Sequence, residues 1–160
     1  MSDQITRREL VVSGGIAFLA TASNAQSSAA KTVESNGMSE TEKANVKLFR
    51  EWQAAWDQPN LDIDGIMAKY IAANASIRLF EDEPVAVGPE AAAVIAKKGA
   101  GNNLRIQSKI VKVLARGPLV ATSRVDTIKI PGQPDEVVKL AGVCIIKDGK
   151  IQEYCDYIVT

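Results

Sequence analysis

The chain has 160 residues, 46% of them hydrophobic and 24% charged, the profile of one soluble globular domain with enough apolar material for a core. Nineteen basic residues balance nineteen acidic ones, so no summed field draws nucleic acid or an anionic membrane surface. Histidine is absent, which removes the usual base near neutral pH, Ser-His and Cys-His pairs and every histidine metal site. Acid–base chemistry therefore falls to carboxylates, Lys, Tyr or Cys.

The N-terminal stretch reads as an address. Thr6, Arg7 and Arg8 precede the apolar run "LVVSGGIAFLATA", too short to span a bilayer, which ends in "SNAQS" with Ser23 and Ala25 placed as a signal peptidase requires. Residues 1–25 resemble a twin-arginine signal peptide, which predicts a bacterial protein exported already folded, periplasmic or secreted, with no membrane contact in its mature form. Residues 26–38, "QSSAAKTVESNGM", are small and polar without periodicity and read as a flexible linker, leaving 39–160 as the domain.

Within the domain, helices come first and strands afterwards. Ser39 and Glu42 have capping-box spacing, and Val46, Phe49, Gln53 and Trp56 follow at helical intervals, predicting an amphipathic helix over 39–57 that Pro59 and Asn60 stop. A shorter helix carries Ile63, Ile66, Met67 and Tyr70 on one face. "SIRLFED" alternates as a strand, and Gly88 and Pro89 open a third helix ending near Gly99 or Gly101. Strands follow near 104–115, 118–130, 136–147 and 150–159. This order predicts an α+β domain with a curved, cone-shaped sheet packed on the N-terminal helices.

Turn chemistry sets the register. Asp148 and Gly149 are a strong hairpin signal, so Lys147 faces Lys150 and, counting back, Ala141 faces Asp156. The turn through "PGQPDE" puts Asp126 beside residues 139 to 141 of the same central strand. Alternation places Arg124 and Asp126 on one face with Val120, Thr122, Ile128 and Ile130, and Asp156 with Tyr154 and Ile158. The two carboxylates then lie two strand spacings apart, about 9 to 10 Å at the backbone. Ala141 and Gly142 leave open volume between them, and Arg124 is long enough to reach either acid. Such an asymmetric pair in an apolar pocket need not share one protonation state, because burial favours the neutral form and a guanidinium the charged one. One acid can then donate a proton while the other accepts one.

These residues carry a family resemblance. Arg124, Val125 and Asp126, then Ala141, Gly142, Val143 and Cys144, then Tyr154, Cys155, Asp156, Tyr157 and Ile158 resemble the R-V-D, L-G-V-F and W-R-D-Y-F pattern of the limonene-1,2-epoxide hydrolases. That family lies in the nuclear transport factor 2-like, SnoaL-like group with a cystatin-like fold, which also holds ketosteroid isomerase. The resemblance implies one-step epoxide hydrolysis without a covalent intermediate and without a cofactor, with Asp156 as general base on water, Asp126 as general acid and Arg124 bridging them. It further implies a pocket lined by Tyr154, Ile158, Ile128, Val143, Ile77, Leu79 and Trp56. One departure stands out: Ile77 and Leu79 occupy the positions of a Tyr and an Asn that grip the family's water, and neither can hydrogen-bond it.

The remaining features carry less. Cys144 and Cys155 are diagonal across neighbouring strands, a poor disulfide geometry, so free thiols are expected. Glu81, Asp82 and Glu83 read as a solvated loop rather than a metal site. Three functions stay open: an epoxide hydrolase of a small apolar metabolite, an isomerase or cyclase of the ketosteroid isomerase kind, and a non-catalytic module holding a hydrophobic ligand. A homodimer through the outer sheet face is the expected protein partner.

Overall fold

The computed structural model describes residues 37–100 and 103–160. The leader expected at 1–25 and all but Gly37 and Met38 of the linker lie outside the described residues. No helix among the described residues is long and apolar enough to cross a membrane.

Helix α1 spans Glu40–Ala55 and opens with the expected capping box: the Ser39 hydroxyl accepts from the Glu42 amide, and the Ser39 amide donates to the Glu42 carboxylate at 2.7 Å. The other Glu42 oxygen accepts the Gly117 N–H at 2.8 Å, and the Asn45 side chain donates to the Gly117 carbonyl at 3.1 Å. The capping residue thus also ties the helix to a distant hairpin turn, and the Gly117 hydrogen bond holds its carboxyl below the usual range. Helix α2, Ile63–Tyr70, is capped by Asp62, which accepts from the Gly65 amide.

Strand β1, Ile71–Arg78, starts directly where α2 ends, earlier than the alternation of "SIRLFED" suggests. Past Arg78 the chain leaves the sheet in a turn closed by the Glu83 amide on the Phe80 carbonyl, so the second half of that pattern is loop. The two-residue strand β2, Ala86–Val87, pairs with Ile77 and Ser76 and is too short to have left a pattern. Helix α3, Gly88–Ala100, begins as the Gly-Pro pair indicates. Gly88 has φ +81°, and a Cβ there would lie 2.6 Å from the Ala73 carbonyl oxygen, so only glycine fits the passage from β2 into α3.

Four strands complete the chain: β3 Arg105–Arg116, β4 Leu119–Lys129, β5 Glu136–Lys147 and β6 Lys150–Ile158. The open six-stranded sheet has the order β2-β1-β6-β5-β4-β3, with β1 parallel to β6 and every other pair antiparallel. The fold is the α+β arrangement expected from the sequence, with a mixed sheet. Bulges between Ile110 and Lys112 and along β6 interrupt the ladders, the device by which long strands bend. Phe49 and Trp52 from α1, Ile63 and Met67 from α2, and Ile77 and Val120 from the sheet are fully buried between the layers. Each such side chain contributes about 1.5–3 kcal/mol by leaving water.

Two registers differ from the count along the sequence. The hairpin is the expected one, with Asp148 and Gly149 both at positive φ and Lys147 opposite Lys150. A β-bulge at Gln152 then takes Ile146 opposite Ile151 but Ile145 opposite Glu153. Asp156 therefore faces Gly142, and Ala141 faces Tyr157. At the other hairpin the Gln133 amide bonds the Ile130 carbonyl and Gly132 has φ +80°, a type II turn with Pro131 and Gly132 at its centre. That pivot lies earlier than the middle of "PGQPDE", so Asp126 faces Val138 rather than residues 139 to 141.

Candidate active site

Alternation along β4 turns Thr122, Arg124 and Asp126 to the buried face, and along β6 it turns Tyr154 and Asp156 the same way. Arg124, Asp126 and Asp156 are respectively 3%, 4% and 4% exposed, depths at which charges are found only when paired. The Arg124 guanidinium supplies the pairing. Its Nε donates to both oxygens of Asp126, at 3.0 and 3.2 Å. Nη1 donates to Asp156 Oδ1 at 2.8 Å, and Nη2 donates to Asp156 Oδ2 and to the Tyr154 hydroxyl, the latter at 3.1 Å. The Tyr154 hydroxyl in turn donates to Asp156 Oδ2 at 2.6 Å. One cation thus holds two acids that come from strands on either side of β5.

Burial acts against this charge constellation and sets its character. Desolvation raises the Asp156 carboxyl above the usual carboxylate range, although Arg124 and Tyr154 both oppose the shift. Burial likewise lifts the Tyr154 hydroxyl well above its ordinary value, so that it donates a proton in hydrogen bonds and keeps it. Arg124 is desolvated too, yet Tyr154 and Asp156 more than offset this and its charge is held more firmly than in water. Asp156 is a carboxylate that burial makes more basic, at the end of a network fixed by a permanent cation.

Gly142 is what lets the two strands share that cation. A Cβ at this position would lie 2.7 Å from Arg124 Nη1, 2.7 Å from Asp156 Oδ1 and 2.9 Å from Thr122 Oγ1. The space that Ala141 and Gly142 were expected to leave is thus the work of Gly142 alone and is filled by the guanidinium and carboxylate; Ala141 lies on the opposite face. Gly142→Ala is expected to push Arg124 off Asp156 and to destabilise the domain by about 1–3 kcal/mol, read as a lower urea midpoint at unchanged slope.

The acids open onto a cavity of about 260 Å³ between the sheet and the helices. Of the expected lining residues, Tyr154, Ile128, Leu79 and Trp56 border it. Ile77 does not, because it is fully buried in the core beside Tyr154. Val143 and Ile158 do not either: Val143 is on the outer sheet face, and Ile158 is half exposed where β6 ends. The register shift at Gln152 accounts for Val143, because Gly142 and not Ala141 now faces Asp156, whereas Ile158 keeps its face opposite Leu140 and is lost to the cavity only because the strand ends there. Trp52, beside Trp56 on the aromatic face of α1, lines the cavity too; Ile106, Val138 and Leu140 line it without having been singled out, and Gln53, Glu83 and Glu136 add polar groups. Leu140 and Val138 follow from alternation once Gly142 is placed on the inner face.

Tyr154 is the part of the network that spacing alone left as mere lining; its two-residue separation from Asp156 on one strand was the available signal. The two cysteines occupy opposite faces, Cys144 opposite Tyr154 and Cys155 opposite Val143, a poor arrangement for a bridge. No cluster of three metal-ligating side chains occurs among the described residues.

No protein-family model matches the sequence, and no curated protein matches it either. Solved structures do. A LEH-like epoxide hydrolase from M. tuberculosis superimposes with TM-score 0.61 at 21% identity, covering 74% of this chain and 84% of that one. A Jannaschia protein assigned to the SnoaL-like polyketide cyclases gives 0.60 at 17% identity over 78% of this chain and 91% of its own. A Catenulispora acidiphila protein with a ketosteroid isomerase-like fold, solved with trimethylamine, gives 0.56 at 19% identity over 69% and 84%. The chain therefore has the fold of the nuclear transport factor 2-like, SnoaL-like superfamily that the epoxide hydrolase shares.

Proposed function

We propose that this domain is an acid–base enzyme acting on a small apolar substrate, and that it adds water to an epoxide in one step. Water attacks an epoxide carbon and gives a proton to Asp156 as the C–O bond breaks, while Asp126 delivers a proton to the leaving oxygen. Arg124 holds both acids and spreads the charge that moves between them. The diol leaves with Asp156 protonated and Asp126 ionised, and proton exchange with solvent restores the pair.

The observation that carries this reading is the single buried guanidinium shared by two acids at the edge of an apolar cavity. Ion pairs kept only for stability are seldom buried so deeply, because desolvation often exceeds the Coulombic gain. The superposition on an epoxide hydrolase adds to it. The test is turnover of cyclic and terminal epoxides in oxygen-18 water by wild type, Asp156→Asn and Asp126→Asn. Labelled diol that both variants lose supports the assignment; no labelled diol from any epoxide at high enzyme concentration sinks it.

The acid limb of the rate profile gives a second check. A general base works only when deprotonated, and burial places the Asp156 pKa above the ordinary 3.8. kcat/KM is therefore expected to fall, as pH is lowered, at a higher pH than an exposed aspartate would give. A limb at or below the ordinary value would remove Asp156 from the role.

One observation favours a second reading. Leu79 on the cavity wall is apolar, and Ile77 is buried beside Tyr154 without reaching the cavity, so neither grips a water, and an isomerase or cyclase that moves a proton with one aspartate needs no activated water. Absence of solvent oxygen from the product would select it. We further propose that the chain is exported through its twin-arginine leader, and that copies pair through the outer sheet face, where Val111, Val137, Val143 and Tyr157 are exposed.

A further inference from the structure

Helix α1 and its C-cap turn Phe49, Trp52, Gln53 and Trp56 to the interior, and Gln53 is the one polar member of that stripe. Its amide is 6% exposed, a depth at which side-chain polar atoms find partners. The protein supplies a single one: the Ser108 hydroxyl donates to Gln53 Oε1 at 2.8 Å. The two N–H groups of Nε2 have no acceptor among the described residues. They are not sealed in either, because the enclosed side-chain atoms without a partner there are Trp52 Nε1 and Thr122 Oγ1. Gln53 Nε2 therefore touches open space.

Two spaces meet at this side chain. One is the apolar cavity, and the other is a polar groove between α1 and β3, bordered by Arg50, Asp57, Gln107 and Ser108. Ser108 borders the groove and not the cavity, so it draws the Oε1 corner of the amide to the groove side and leaves the Nε2 corner for the cavity. Ser108 is also paired directly with Asp126 across β3 and β4, and paired residues of an antiparallel ladder share a face. Gln53 is thus anchored one strand spacing, about 4.8 Å, from the acid. Asp126 borders the cavity as well, and its protein partner is Arg124 Nε alone. An oxygen that accepts from an amide N–H and a carboxyl O–H together spans about 5.6 Å between the two donors, which suits a helix side chain standing over the neighbouring strand.

We propose that Gln53 Nε2 and Asp126 form a two-pronged seat for the substrate's oxygen, with Gln53 a second group that touches the epoxide. An epoxide oxygen has two lone pairs, one for each donor. As the C–O bond breaks, the proton of Asp126 passes to that oxygen, while the Gln53 N–H donates to it throughout and keeps its own proton. This rests on the hydrolase reading and adds a group from α1 to the acids on β4 and β6. It also narrows the substrate to an otherwise apolar molecule whose oxygen accepts two hydrogen bonds at the Asp126 end of the cavity.

The test pairs ligand binding with kinetics. Both tryptophans of the chain line the cavity, so intrinsic fluorescence reports occupancy without turnover. Oxepane and cycloheptane are rings of one size that differ by an ether oxygen. Gln53→Met is expected to weaken oxepane binding about 3- to 10-fold and to leave cycloheptane within about twofold. On whichever epoxide of the panel wild type hydrolyses, kcat is expected to fall about 100-fold in Gln53→Met. Gln53→Glu keeps the acceptor for Ser108 but has no N–H, so it is expected to lose rate as well, which separates the donor from the helix contact. A methionine variant with wild-type kcat overturns the proposal. If wild type hydrolyses no epoxide, the hydrolase reading falls, and the ring pair alone decides whether Gln53 binds oxygen. Oxepane held equally well by wild type and Gln53→Met, or by neither, overturns that too.

Discussion

Asp156→Asn is expected to lower kcat/KM for epoxide hydrolysis by about 10²–10⁴-fold while the domain remains folded. The amide has the size of the carboxylate and lies opposite Gly142 without a clash, but it accepts at one atom only and cannot take a proton from water. Arg124 would keep Asp126 and the Tyr154 hydroxyl as partners. The measurement is labelled diol per enzyme in oxygen-18 water, with far-UV circular dichroism to establish folding. Activity within tenfold of wild type would mean that another group takes the proton and would remove Asp156 from the role of base.

Arg124→Met has the largest expected effect on stability, a loss of about 3–5 kcal/mol in urea unfolding, because it leaves two buried carboxylates without a cation. The argument is not that the ion pairs are strongly favourable, since their gain is largely cancelled by desolvation. Removing one partner instead exposes the full penalty of burying the others. Arg124→Met combined with Asp126→Asn and Asp156→Asn should therefore be more stable than Arg124→Met alone. The sign with pH follows from Asp156, whose folded-state pKa is raised above its unfolded value. Its protonation favours the folded state, so the single variant should regain stability as pH falls through that raised value and lose it as pH rises. A triple variant no more stable than the single one would show that Arg124 acts through its aliphatic packing instead.

Much of this molecule was legible before its structure. Ser39 and Glu42 announced the first helix because a capping box depends on three neighbouring positions only, and Asp148-Gly149 announced the last hairpin for the same reason. The alternation of Thr122, Arg124 and Asp126 put three polar groups on an inner face, and the structure keeps them there. What failed was counting across strands. A bulge at Gln152 adds one residue without any composition mark, and it moved Asp156 from Ala141 to Gly142 and so put Val143 on the face away from the cavity. The hydrogen-bonded role of Tyr154 was equally hidden, since an aromatic beside a core strand is most simply apolar packing.

The place of β6 in the sheet has a consequence for biosynthesis. This strand is made after the other five, yet it lies between β1 and β5, joining β1 and β2 to the other three. Until it emerges from the ribosome, neither half of the sheet has its neighbour, and the cavity lacks Tyr154 and Asp156. Threading a final strand into the middle demands contacts between residues far apart in sequence, such as Ile71 with Ile151, which folding theory associates with slow, late closure. The nascent chain therefore carries Arg124 and Asp126 for a time without Asp156, and the buried charge constellation is complete only once β6 has been made.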